Sequence, residues 1–143
     1  MSKFESSIKQ IAYPQQSVYN MLSDLTNIER VKDKVPEDKL KDLTFDKDTI
    51  SISVSISVNV PPVGAVSMRI IERDEPKTIK FASENSPMSF NFWIQILPVD
   101  ETSSKMKLII DADIPFFAKS MVSGPLQEGI EKIANALAMI PFE

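Results

Sequence analysis

The chain contains neither cysteine nor histidine. Without cysteine it can form no disulfide, and no thiolate is available as a nucleophile or a metal ligand. Without histidine it lacks the commonest general base and the commonest metal ligand. A Ser-His-Asp triad and a histidine-bearing zinc site are therefore excluded for this chain alone. From the sequence we expect no metal site, no cofactor and no identifiable catalytic residue.

Basic residues are too few to outnumber acidic ones: 16 Lys and Arg stand against 20 Asp and Glu, which gives a net charge of −4. An acidic chain without a basic stripe is a poor candidate for binding nucleic acid. No apolar run approaches the ~20 residues that span a bilayer, and the N-terminal segment MSKFESSIKQ lacks the apolar centre of a signal peptide. We expect a cytoplasmic protein without an integral membrane segment.

The chain also lacks internal repeats and linker-like segments. Its 143 residues match the usual size of one domain, so we expect a single domain over 1–143. The charge-dense segment Lys32–Asp42 is interpreted as a solvated loop of that domain.

What the chain does contain is a long series of alternating segments. SISVSISVNV, at Ser51–Val60, has Ile or Val at every second position, which is typical of an antiparallel strand with one dry face and one wet face. Short turns join the alternating segments, so we predict a six-stranded antiparallel meander. Its strands are expected at Leu43–Asp46, Thr49–Val58, Ala65–Arg73, Thr78–Glu84, Met88–Leu97 and Lys105–Ile114.

Other elements are expected before and after the meander. Lys3–Ala12 is predicted to be a first strand with Phe4 and Ile8 on one face. Pro14 suits the first turn of a helix, and we expect two short helices from there to about Val31.

The apolar period changes from 2 to 3.6 near the end of the sequence, which predicts an amphipathic helix. Its apolar stripe consists of Val122, Leu126, Ile130, Ile133, Leu137 and Ile140. We expect the helix to run from about Leu126 to Ile140 and to stop at Pro141. Ser123–Pro125 indicates a new helix start or a kink. Gly129 indicates a close approach by a neighbour or space for something bound.

The predicted sheet has one dry face, and the terminal helix has the matching apolar stripe to cover it. The sequence therefore predicts an α+β fold: strand, two short helices, a six-stranded antiparallel meander, and a long C-terminal helix packed on the concave sheet face. A twisted sheet can wrap such a helix, and any gap between the two would be an apolar pocket.

This order of elements resembles the START-like (SRPBCC) superfamily, whose architecture is the helix-grip fold. The opening KFESSIKQIAYPQQSVYNMLSDLTNIERV and the closing helix GPLQEGIEKIANALA are similar to those of the family. The ending IPF is similar to small START-like proteins of Bacteroidetes-type bacteria. The resemblance implies a cavity between the sheet and the last helix, which in this superfamily holds lipids, sterols, polyketides or plant hormones. It brings no shared catalytic motif.

The side chains expected to line such a cavity lie on the helix stripe and on the dry sheet face opposite it. They are Val54, Ile56, Met68, Ile70, Phe90, Phe92, Leu108, Ile110, Leu126, Ile130, Ile133 and Leu137. An ordinary packed core would have the same pattern. Tyr19, and Val63 in the apolar hairpin tip Val60–Val66, are the candidates for the cavity mouth.

Three functions are compatible with these residues. The first is a binding protein for a hydrophobic or amphipathic small molecule such as a lipid or polyisoprenoid. The second is a polyketide cyclase- or aromatase-like enzyme that uses a Tyr, Asp or Glu. The third is a protein-interaction module with a collapsed cavity. The predicted dry face carries almost no titratable group, which favours binding over catalysis. The sequence leaves the oligomeric state and the ligand's identity open.

Overall fold

The structure is a computed structural model, which describes residues 2–31, 43–54, 64–84, 89–114 and 116–142. The predicted loop at Lys32–Asp42 and most of the predicted hairpin tip at Val60–Val66 lie outside these residues.

The elements follow the predicted order, which confirms the α+β class. The strands are β1 (Ser2–Glu5), β2 (Lys9–Ile11), β3 (Leu43–Phe45), β4 (Thr49–Val54), β5 (Gly64–Asp74), β6 (Thr78–Glu84), β7 (Phe90–Pro98) and β8 (Ser104–Ala112). The helices are α1 (Gln15–Leu22), α2 (Asn27–Val31) and α3 (Lys119–Ala138), and a 3₁₀ turn (Phe116–Ala118) directly precedes α3.

All strands form one antiparallel sheet in the order β1-β8-β7-β6-β5-β4-β3, and β2 also pairs with β8. The sheet is therefore seven strand positions wide, because β1 and β2 follow one another along the same edge. Strands β3 to β8 are the predicted six-stranded meander.

Alternation along the strands separates an inner face from an outer face. On the inner face Phe81 and Phe92 are fully buried, and their rings meet edge to face with centroids 5.6 Å apart. On the outer face Trp93 is half-buried, and the Lys80 ammonium lies 5.5 Å from its ring centroid. The buried core lies between the inner face and the helices.

The prediction of one unbroken first strand is wrong. Between β1 and β2 the chain advances four residues while β8 advances three, from Glu5 opposite Ile109 to Lys9 opposite Met106. One extra residue reverses the parity of the strand, so Ile8 is exposed rather than on the face of Phe4.

A buried serine stabilises this irregularity. The Ser6 N–H donates to the Leu108 carbonyl oxygen at 2.9 Å, and Ser6 Oγ accepts from the Leu108 N–H at 2.9 Å. The Ser6 hydroxyl thus accepts the hydrogen bond from Leu108 that a backbone carbonyl oxygen would accept in a regular strand pair. A second irregularity lies between Ile70 and Glu72 and leaves Ile71 exposed. Such bulges bend the strand that carries them and increase its twist.

The terminal helix begins at Lys119, earlier than predicted, and continues through Pro125 to Ala138. Pro125 is therefore not a helix start. A proline inside a helix has no N–H to donate, and its ring disfavours helical geometry in a preceding residue that has a Cβ. Gly124 has no Cβ, so this second cost is avoided.

Helix α3 is attached to the edge of the sheet through the side chains of Glu131 and Gln127. Glu131 Oε1 accepts a hydrogen bond from the Ser7 N–H, and its Oε2 accepts from Ser7 Oγ at 3.2 Å and from Lys9 Nζ at 3.1 Å. Gln127 Nε2 donates to the Glu5 carbonyl oxygen at 2.8 Å. The irregular segment between β1 and β2 thus provides the donors that fix the middle of the helix.

These bonds lower the pKa of Glu131 below its ordinary value of 4.5, first through the Ser7 N–H and then through Lys9. A depressed pKa in the folded state stabilises the fold above the ordinary pKa, and this contribution is lost as the pH falls through the lowered value.

We expect Glu131→Gln to lower the free energy of unfolding by about 1 kcal/mol at neutral pH, because a charge-assisted contact becomes a neutral one. The difference from the native chain should shrink as the pH falls below 4.5. Urea unfolding followed by circular dichroism over a pH series measures both effects. Glu128→Gln, at an exposed position of the same helix, is the matched control. A difference that does not depend on pH would refute the assigned role.

The two glycines of α3 should respond differently to alanine. A Cβ at Gly129 would meet no atom within 4 Å, which rules out the close approach that its presence suggested. Gly129→Ala should therefore raise the unfolding free energy by about 1 kcal/mol. Gly124→Ala should gain less, because the new Cβ would precede Pro125. Thermal unfolding of the two variants tests this, and equal gains would contradict it.

Candidate functional site

The inner face of the sheet is wider than one helix can cover. Seven strand positions at about 4.8 Å spacing make a surface roughly 29 Å wide, whereas a helix with its side chains is only about 10–12 Å across. The α3 backbone comes within 8 Å of β8, β1 and β2, and the α1 backbone within 8 Å of β7 and β6. The two helices therefore cover different parts of the sheet.

Helix α1 and the segment after it close one end of the sheet, which we call the closed end. Gln15 Nε2 donates to the Ile96 carbonyl oxygen at 2.8 Å, and the Leu25 N–H donates to the Lys47 carbonyl oxygen at 2.9 Å. At the C-terminus of α1, the Arg73 guanidinium donates from Nε and Nη2 to the Ser23 carbonyl oxygen at 3.0 and 2.9 Å. A cation at this position also complements the helix dipole.

The residues after α3 fix its C-terminus to the same closed end. Phe142 is fully buried, and its ring meets Tyr13 edge to face with centroids 6.1 Å apart. The Tyr13 carbonyl oxygen accepts from Ser104 Oγ at 2.8 Å, at the first residue of β8. Helix α3 is thus attached at its C-terminus and its middle.

Burial varies along the inner face. Ile94 and Ile96 in β7 and Leu137 in α3 have no exposed surface. Toward the other end of β8, Ile110 is 8% exposed, and in α3 Leu126 is only half-buried. We call this region the open end, and we define it by the apolar residues Phe4, Phe90, Ile110, Ile114 and Leu126.

Strand pairing brings the open-end residues of the sheet together. Ile110 lies directly between Phe4 on β1 and Phe92 on β7, and Phe90 lies opposite Ala112. Their side chains share the inner face, and Leu126 and Ile114 pack against the same core.

Most of the predicted lining residues lie in this one core. The structure buries Met68, Ile70, Phe90, Phe92, Leu108, Ile110, Ile130, Ile133 and Leu137, and it places Leu126 against them, half-buried. Leu108 and Leu137 have no exposed surface, so they lie in the closely packed part. For Val54 the structure describes only the backbone, which pairs with Gly64. Ile56 and Val63 lie outside the described residues.

Tyr19, a candidate for the mouth, lies on α1 at the closed end and is buried. Burial is the main cause of its raised pKa, and the nearby Glu75 carboxylate adds to it. Its hydroxyl is therefore protonated at neutral pH. The charged neighbours that affect this pKa lie at the end of β5 and directly after it, away from Phe90 and Leu126.

Ionisable groups reach the inner face only at its margins within the described part of the chain. Lys9 is paired with Glu131, and Arg73 binds the end of α1. Around the open end the described inner-face side chains are apolar, apart from Ser83, which accepts a hydrogen bond from the Phe90 N–H at 3.1 Å. No group of three or more acidic side chains able to hold a metal ion occurs among the described residues.

Sequence reasoning missed the two most exposed aromatic residues near this end. Phe116 and Phe117 form the 3₁₀ turn between β8 and α3 and are 94% and 83% exposed. Their adjacency was the available signal, because two consecutive side chains cannot both follow the inner face of a strand.

Comparisons with known proteins identify the fold of this chain. The sequence matches no protein-family model and no curated protein. Among solved structures, a START superfamily protein from Mycobacterium smegmatis has a TM-score of 0.62 and 14% identity, over 95% of this chain and 94% of that one. A protein from Thermus thermophilus has a TM-score of 0.62 and 16% identity, over 96% of this chain and 94% of that one.

Norcoclaurine synthase from Thalictrum flavum, solved in complex with dopamine and hydroxybenzaldehyde, is also similar. Its TM-score is 0.66 at 12% identity, over 96% of this chain and 84% of that one. Identities this low establish shared architecture alone. With its antiparallel sheet, two short helices and C-terminal helix across the inner face, this chain has the START-like fold.

Proposed function

We propose that residues 1–143 form one domain that binds a hydrophobic or amphipathic small molecule, such as a lipid or polyisoprenoid, between the sheet and α3. The observation that carries this proposal is the residual exposure of three apolar side chains at the open end. Phe90 of β7 is 5% exposed, Ile110 of β8 is 8% exposed and Leu126 of α3 is half-buried, whereas Ile94 and Ile96 of β7 and Leu137 of α3 have no exposed surface.

An apolar ligand would complete this packing. Removing about 300 Å² of ligand surface from water at ~25 cal/mol per Å² gives ~7.5 kcal/mol before the costs of binding. This contribution needs no charged partner, which suits the apolar side chains described around the open end. A ligand with a polar terminus would keep that terminus in water at the opening.

The proposed site uses the predicted lining residues on the open side of the core. Phe90 and Ile110 would contact the ligand from the sheet, and Leu126, Ile130 and Ile133 would contact it from the helix. Met68 and Ile70, on β5, would form the far wall, beyond the strands that α3 covers directly.

The alternatives have less support. An enzyme of the cyclase type needs an acid or base beside the ligand, and the described open end offers no ionisable side chain on its inner face. The similarity to norcoclaurine synthase supports a common fold only. A protein-interaction module with a collapsed interior predicts that no small molecule enters, which the following experiment distinguishes.

We expect the purified chain to bind the uncharged fluorescent probe 1-N-phenylnaphthylamine at one site, with an increase in emission. Leu126→Arg should weaken this binding by about tenfold or more, because it places a charge in the apolar opening. Leu97→Arg makes the same change at an exposed position near the end of β7 and should leave binding unchanged.

Circular dichroism and thermal unfolding establish that both variants fold. Failure of the native chain to bind the probe, with native mass spectrometry that finds the bare chain only, would overturn the proposal in favour of a collapsed interior. Equal weakening by Leu126→Arg and Leu97→Arg would show that the probe binds elsewhere.

A further inference from the structure

We propose that the 3₁₀ turn at Phe116–Ala118, together with the first turn of α3, docks the protein onto the surface of a lipid bilayer. Phe116 is 94% exposed, Phe117 83% and Met121 51%. These three residues form what we call the docking turn. Large apolar side chains exposed together on a folded protein indicate an interaction site.

The docking turn protrudes rather than forming a groove. Among the described residues, ring contacts join Tyr13 to Phe142 and Phe81 to Phe92, and neither Phe116 nor Phe117 takes part in one. Two phenylalanines that protrude side by side suit a fluid acceptor into which each ring can sink separately. Phenylalanine is one of the apolar side chains that peripheral segments bury at the boundary between lipid headgroups and acyl chains.

The charge of the surrounding sequence agrees with a lipid acceptor. From Ile114 to Gln127 the only charged residue is Lys119, in a chain of which 25% is charged, and the carboxylates that flank this segment are those of Asp113 and Glu128. A bilayer surface presents phosphate groups, which attract a lysine and repel carboxylates. The lysine stem can lie along the apolar layer while its ammonium stays among the headgroups.

The area of the docking turn argues against an interface with a second copy of the chain. Two nearly exposed phenylalanines present roughly 400 Å², whereas a stable protein interface buries about 800 Å² on each partner. The same small area is enough for reversible attachment to a membrane surface. None of the described helices is long and apolar enough to cross a bilayer.

The position of the docking turn determines which end of the protein would face the bilayer. The Asp113 N–H donates to the Ser89 carbonyl oxygen at 2.9 Å, which holds the chain just before the turn beside the start of β7. Phe90, an open-end residue, follows immediately. The attached protein would therefore present its open end to the bilayer. Attachment itself does not depend on whether the interior holds a ligand.

The test is flotation of the full chain with phosphatidylcholine vesicles, with and without phosphatidylglycerol. We expect the native chain to float with both and to remain bound at high salt, because apolar insertion is not screened. The double variant Phe116→Ser, Phe117→Ser should reduce the bound fraction about tenfold or more. Ile71→Ser, Leu97→Ser removes two other exposed apolar side chains and should leave flotation unchanged.

Insertion is checked with Phe117→Trp, whose added emission should shift to the blue with vesicles, while that of Leu97→Trp should not. Absence of flotation, or equal flotation of the Phe116→Ser, Phe117→Ser variant, would overturn the proposal. So would self-association in solution that this variant abolishes, since the turn would then contact a second copy. Probe binding inside the fold, measured on the same variant, reports separately on the proposed ligand site.

Discussion

The structure depends on one requirement: the apolar inner face of an antiparallel sheet must be kept from water. A single helix about 10–12 Å across cannot do this for seven strand positions. The fold divides the task, with α1 and the residues after α3 closing one end and α3 crossing over β8, β1 and β2. The bulges near Ser6 and Ile71 bend the strands that carry them. The full burial of Ile94, Ile96 and Leu137 and the incomplete burial of Ile110 and Leu126 are consistent with this division.

Much of this architecture was predictable, because the alternation of apolar residues along strands and their spacing along helices indicate which side chains are buried. The six meander strands, the face occupied by Phe90 and Phe92, and the buried stripe of α3 all follow from periods of 2 and 3.6. The exceptions have local physical causes. Ile8 was assigned to the wrong face because one extra residue reverses parity, and a bulge leaves no apolar signal in the sequence. The helix start was placed too late because Pro125 was given more weight than Gly124 before it.

The candidate site was less predictable than the fold. The pattern that selects Leu108 and Leu137 is the pattern that selects Ile110 and Leu126, since all four face inward. Only the three-dimensional packing distinguishes the first two, which have no exposed surface, from the second two, which retain some. Tyr19 illustrates the same limit. Helical spacing predicts which face of α1 carries Tyr19, but it does not predict which end of the sheet α1 covers. One fold also supports many functions, as a START superfamily protein and norcoclaurine synthase illustrate here. Function therefore has to be argued from the residues of the site.

The central claim is that the space beneath α3 is accessible at one end and filled at the other. Its most direct test is methyl NMR of the isoleucine-labelled chain under xenon, which enters apolar cavities without needing a specific partner. The account predicts shifts for the methyl groups of Ile110, Ile130 and Ile133, and none for those of Ile94, Ile96 and Ile140. An interior in which xenon shifts no methyl group, or shifts those of the closed end equally, would contradict it.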